Sequence, residues 1–124
     1  MPCLDLIVAE DDDDLRKWLT LVLRPLGARV REARTGAELL RLLFDGAPAD
    51  LVITDVRMPP PDGLEVLAKV RAVGLDIPFL VISAFADDEV RSRASGLGAE
   101  VLAKPFPGRE ILGRVRDLAA GRGR

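Results

Sequence analysis

Five residues in this chain have side chains suited to joint chemistry, and each follows a short apolar run. Glu10 and Asp11 come after Leu6-Ile7-Val8-Ala9. Asp55 ends Leu51-Val52-Ile53-Thr54. Ser83 follows Phe79-Leu80-Val81-Ile82, and Lys104 follows Val101-Leu102-Ala103. Carboxylates that crowd together repel and raise one another's pKa values unless a cation neutralises them. A hard divalent ion suits such a group. Mg²⁺ fits best, because it takes oxygen ligands, keeps several waters and needs only one or two carboxylates plus a phosphate oxygen. A hydroxyl at Ser83 and a compact positive charge at Lys104 both suit phosphoryl oxygens. Lysine is scarce here, since Lys17, Lys69 and Lys104 are the only lysines among 18 basic residues. No phosphate-cradling glycine loop is present, so the phosphoryl group is expected to be attached covalently, with Asp55 as nucleophile.

Each residue also has a plain structural role open to it. Glu10 and Asp11 can belong to a solvated acidic turn, Asp55 can cap a turn, and Ser83 can be a satisfied turn hydroxyl. Lys104, before Pro105, can be a surface residue. It is the joint arrangement, at successive strand ends, that favours chemistry. The acidic run Glu10–Asp14 makes a similar point, because capping the helix that follows takes one or two acids and five are present.

These residues need a frame to bring them together. The runs at 4–9, 51–54, 77–82 and 101–103 read as strands, and the polar stretch 29–33 reads as an edge strand. Between them fall helical periodicities at about Asp13–Leu26, from Thr35 to Phe44, at Leu64–Val73, from Asp87 or Asp88 to about Ala94–Gly98, and at Arg109–Ala120. Asp12 or Asp13 is a candidate cap for the first helix. Thr35-Gly36-Ala37-Glu38 has the pattern of a capping box for the second. Five strands alternating with five helices predict an α/β three-layer sandwich around a parallel sheet, flavodoxin-like, with strand order 2-1-3-4-5. In such sheets ligands sit outside the carboxyl ends of the strands, where the five residues fall.

Composition narrows the function. The 124 residues suit one domain, and 48% hydrophobic content argues for a packed core. A net charge of −2 gives no case for direct nucleic-acid or membrane binding. The absence of histidine excludes His-based triads, ligands and phosphocarriers, and with a single cysteine zinc is excluded in practice. The unpaired Cys3 and the lack of a basic leader or long apolar span point to the cytoplasm.

The motifs Ile7-Val8-Ala9-Glu10-Asp11, Ile53-Thr54-Asp55-Val56-Arg57-Met58-Pro59, Asp62-Gly63, Ser83-Ala84 and Lys104-Pro105-Phe106 together resemble the receiver domain of two-component response regulators. The resemblance covers residues 1–120 and leaves 121–124 as a C-terminal tail or linker. It implies that Asp55 accepts a phosphoryl group from a sensor histidine kinase or phosphotransfer protein. It also implies Mg²⁺ binding by Asp11, Asp55 and the Arg57 carbonyl, with Glu10 helping through water. Ser83, Ala84 and Lys104 would contact the phosphoryl group, and Lys104-Pro105 would be cis. The output would be a changed affinity for a downstream protein at the face of the fourth helix, fifth strand and fifth helix. Such a protein is a signalling switch and not a turnover enzyme.

Relatives usually carry an aromatic residue where Val101 stands, so Phe85 is the expected bulky group for switching and for shielding the site from water. A Mg²⁺-dependent phosphohydrolase is the first rival. It would need a second Asp two residues beyond the nucleophile, where Arg57 stands. A receiver-like module that is never phosphorylated is the second, and such modules usually lack the acidic pair, the Asp or the Lys.

Overall fold

The computed structural model describes residues 3–122. A five-stranded parallel sheet has the order β2-β1-β3-β4-β5, formed by β1 (Asp5–Ala9), β2 (Arg29–Ala33), β3 (Leu51–Asp55), β4 (Phe79–Ser83) and β5 (Glu100–Ala103). The helices are α1 (Asp13–Leu23), α2 (Gly36–Phe44), α3 (Gly63–Ala72), α4 (Asp88–Gly96) and α5 (Gly108–Arg122). This is the expected α/β sandwich and strand order. β1, β3 and β4 are buried throughout, as strands covered on both faces must be.

Period-2 alternation sends successive side chains to opposite layers. Leu6, Val8, Leu51, Ile53, Leu80 and Ile82 pack with Leu19, Leu23, Ile111 and Val115 beneath α1 and α5. Ile7, Ala9, Val52, Phe79 and Val81 pack with Leu39, Leu64, Leu67 and Ala94 beneath α2, α3 and α4.

Helix boundaries differ in detail from the sequence reading. The first helix ends at Leu23 and passes into a 3-10 turn over Arg24–Leu26, with Pro25 at the break and left-handed Gly27 closing it. Proline lacks the N–H needed to continue the α-helical ladder. The capping box is only half made at Thr35. Its hydroxyl accepts from the Glu38 N–H, but the Glu38 carboxylate accepts from the Arg34 N–H at 3.2 Å. The complete box lies at Asp62 and Glu65, where side chain and backbone are satisfied reciprocally at the start of α3. β5 is shorter and more exposed than the inner strands because it forms the second sheet edge. α5 runs past Ala120 to Arg122, so Gly121 and Arg122 of the expected tail are helical, while residues 123 and 124 lie outside the described residues.

Two glycines are fixed by space. A Cβ on Gly63 would stand 2.0 Å from the Asp55 carbonyl oxygen, and one on Gly36 would stand 1.8 Å from that of Pro61. α3 therefore begins directly against the backbone of Asp55.

Candidate functional site

Glu10, Asp55, Ser83 and Lys104 emerge from four strand ends at the carboxyl edge of the sheet. Glu10 continues the parity of Leu6 and Val8, Asp55 that of Leu51 and Ile53, and Lys104 that of Leu102, so all three face the α1–α5 layer. Ser83 has the opposite parity, shared with Phe79 and Val81. The Lys104 N–H donates to the Ser83 carbonyl at 2.8 Å, which ties the ends of β4 and β5 together. The Lys104–Pro105 bond is cis, as is Pro60–Pro61 in the loop after Asp55.

Carboxylate oxygens of Glu10, Asp11 and Asp55 lie within 4.8 Å of one another. Glu10 and Asp55 are buried, at 1% and 6% exposure, whereas Asp11 faces solvent. Lys104 Nζ donates to Asp55 Oδ2 at 2.6 Å and to Glu10 Oε1 at 3.1 Å, so one ammonium bridges both buried acids. Burial pushes the Glu10 carboxyl from its ordinary 4.5 up to about 7. The Asp12 N–H opposes that rise, and the neighbouring Asp55 and Asp11 add to it. For Lys104, burial works against its charge, but the bonds to Asp55 and Glu10 outweigh burial and raise its pKa. An all-oxygen donor set holding surplus negative charge suits a hard divalent cation. A cavity of about 450 Å³ opens beside it, lined by Asp11, Arg57, Met58, Asp62 and Glu65 among others.

The remaining acids of the run each have a partner or a place. Asp12 caps α1 by accepting from the Asp14 and Leu15 N–H groups, Asp13 pairs with Arg16, and Asp14 sits in the first turn of α1. Asp55 Oδ1 accepts from the Arg57 N–H at 3.2 Å. Ser83 Oγ, fully buried, accepts from the Phe85 N–H at 3.0 Å. Ala84 is exposed between them. Phe85 is 56% exposed, and the Arg57 guanidinium lies over its ring at 4.1 Å. That cation–π contact joins the loop after β3 to the loop after β4 across the mouth of the site. Val101 is half-buried, paired in register with Val81.

A family model for the response regulator receiver domain matches residues 6–116. The chain belongs to that family. It is 40% identical over 116 residues to the response regulator MprA of Mycobacterium sp. (strain KMS), covering 91% of this chain and 49% of that protein. It is 34% identical over 113 residues to the uncharacterized transcriptional regulatory protein YbdJ of Bacillus subtilis, again 91% of this chain and 49% of the relative. The chain thus spans about half the length of the curated relatives it matches. Among solved structures, the receiver domain of the Francisella response regulator 1452 superposes with a TM-score of 0.87 at 26% identity, covering 94% of this chain and 97% of that one. Receiver domains are the phosphorylation switches of two-component signalling, served by histidine kinases or phosphotransfer proteins. No helix among the described residues is long and apolar enough to cross a membrane.

Sequence reading missed three features of this receiver domain. Arg16 is buried among acceptors, Arg57 stacks on Phe85, and Lys104 bridges Glu10 as well as Asp55. None has a local signature, because each depends on which strand ends become neighbours.

Proposed function

We propose that Asp55 is the phosphoryl acceptor of this receiver domain and that Asp11, Asp55 and the carbonyl of Arg57 hold Mg²⁺, with Glu10 helping through water. The reading rests above all on the pairing of a nearly buried carboxylate with an ammonium 2.6 Å away at the carboxyl end of the central strand. In the transfer, an Asp55 oxygen forms a bond to phosphorus while the bond from phosphorus to the imidazole nitrogen of the donor breaks. The electron pair of that bond returns to the imidazole. Mg²⁺ when bound supplies charge neutralisation for the acids and the phosphoryl oxygens. Lys104, already on Asp55, follows the charge onto the new oxygens, and Ser83 with the backbone at Ala84 supplies further contacts.

Phosphorylation reaches the rest of the molecule only through differential contacts in two arrangements. Ser83 carries that difference. Turning its hydroxyl toward a phosphoryl oxygen reorganises its bond with the Phe85 N–H and shifts the loop 84–86 ahead of α4. Phe85 is the bulky group that repacks, and Val101 stays passive in the core. The altered surface is the α4–β5–α5 face, where a downstream protein binds.

The Arg57–Phe85 pair also supports a long-lived aspartyl phosphate, because neither side chain offers a base to an attacking water and the ring hinders its approach. Acetyl phosphate with Mg²⁺ should add one phosphoryl group by intact mass, and Asp55→Asn should add none. Full phosphorylation of Asp55→Asn would place the acceptor elsewhere.

A further inference from the structure

Arg16 is the one buried basic residue among the described residues, with its side chain 4% exposed. Its guanidinium is divided among three elements. Nη1 donates to the Glu10 carbonyl at 2.8 Å, Nε to Glu32 Oε1 of β2 at 2.8 Å, and Nη2 to Asp13 Oδ1 in the first turn of α1. Glu10 is gripped elsewhere as well. Its N–H donates to the Ala33 carbonyl at 3.0 Å, and its Oε2 accepts from the Asp12 N–H at 3.1 Å. Asp12 in turn caps α1. The Glu10–Asp11–Asp12 segment is thus fixed at the carbonyl by Arg16, at the amide by β2 and at its far end by the helix cap.

We propose that Arg16 is a positioning residue of the phosphorylation site, holding the Glu10 carbonyl so that Glu10 and Asp11 present their carboxylates to Asp55. This rests on the reading of those three acids as the Mg²⁺ site. Stability alone is a poor reason for an arginine here, since an apolar side chain of similar volume commonly matches or exceeds a buried ion-pair network. Electrostatic compensation of the site is a poor reason too. Arg16 already faces two carboxylates of its own, those of Asp13 and Glu32. What a guanidinium adds is direction, because its planar fork fixes three acceptors at once. Partners that orient metal ligands are commonly worth 10- to 100-fold in metal affinity.

The test compares Arg16→Met, Arg16→Lys and Leu19→Ala, the last removing core volume from the same helix without touching Glu10. Mg²⁺ affinity is measured by calorimetry, and amide hydrogen exchange at Asp12 is followed in metal-free protein. Arg16→Met should weaken Mg²⁺ binding about tenfold and accelerate Asp12 exchange beyond what its loss of global stability explains, and Arg16→Lys should restore part of both. Leu19→Ala should lower the urea midpoint with Mg²⁺ affinity of the folded protein unchanged. If Arg16→Met behaves like Leu19→Ala, Arg16 is only a structural tie and the inference is overturned. Should Arg16→Met not fold, Glu32→Ala loosens the same guanidinium, and unchanged exchange and affinity in that variant overturn it equally. A wild type indifferent to Mg²⁺ would remove the metal reading, and exchange at Asp12 would then decide the positioning role by itself.

Discussion

Replacing Lys104 with methionine keeps the volume of the side chain but removes the ammonium that bridges Asp55 and Glu10. In metal-free protein this leaves two buried carboxylates, at 6% and 1% exposure, without their cation. Breaking a buried pair from one side typically costs about 3–5 kcal/mol. Lys104 is itself 21% exposed, which discounts the cost to the bottom of that range or just below it, and we expect about 2–3 kcal/mol at pH 8. The loss should depend on pH because Glu10 has an escape. Its folded pKa is about 7 against an ordinary 4.5, so between these values the folded protein binds more protons than the unfolded one. Stability from this group is therefore full below pH 4.5 and declines as pH rises to 7. At about 1.4 kcal/mol per tenfold change in proton affinity, the decline amounts to about 3 kcal/mol in the wild type.

Removing the ammonium pushes the Glu10 pKa higher still and carries the decline beyond pH 7. The gap between wild type and Lys104→Met should be smaller at pH 5, where only the Asp55 pairing is lost, and widest near pH 8. Mg²⁺ should close it, and should bind Lys104→Met roughly tenfold more tightly because no ammonium competes for the acids. Urea melts at pH 5 and pH 8, with EDTA or with Mg²⁺, measure all of this. A gap that is constant with pH and indifferent to Mg²⁺ would refute the view that Lys104 stands in for a cation over coupled acids.

Three further outcomes follow from particular contacts. Gly63→Ala puts a methyl 2.0 Å from the Asp55 carbonyl and should cost at least about 1–3 kcal/mol in urea melts. Gly113→Ala, in α5 with open space around it, should gain about 0.5–1 kcal/mol, and equal effects at both sites would discredit the steric account. Phe85→Ala and Arg57→Ala should each speed loss of the phosphoryl group from Asp55 about two- to fivefold, the worth of an exposed cation–π contact, as read by phosphate release. An unchanged rate in both would end the shielding idea. With a phosphoryl mimic bound, Ser83→Ala should lose most amide shift changes across residues 86–98 while Val101→Ala keeps them. The opposite result would move the coupling to Val101.

The sequence alone carried the order of elements and the residues at the strand ends. Strand parity, breakers and caps act over a few residues, so the apolar runs of β1, β3 and β4 were visible before any tertiary contact was known. The caps were narrowed to Asp12 or Asp13 and Asp87 or Asp88, of which the fold uses Asp12 and Asp87. The joint motif around Glu10, Asp11, Asp55, Ser83 and Lys104 was legible for the same reason, since each member sits at the end of a recognisable run. Local pattern failed where a competing partner was close in space or where one residue broke a periodicity. Glu38 bonds the Arg34 N–H and not the Thr35 N–H, and Pro25 converts the last turn of the first helix to 3-10.

Only the packed fold decided how the site is held. Lys104 meets Glu10 across 94 residues of chain, and Arg16 joins α1, β1 and β2 through one guanidinium. Gly63 is required because α3 begins against the carbonyl of Asp55. Such partners are chosen by which strands lie side by side and how closely a helix approaches them. That choice comes from burying the two faces of the sheet, a property of the whole chain that no short stretch of it encodes.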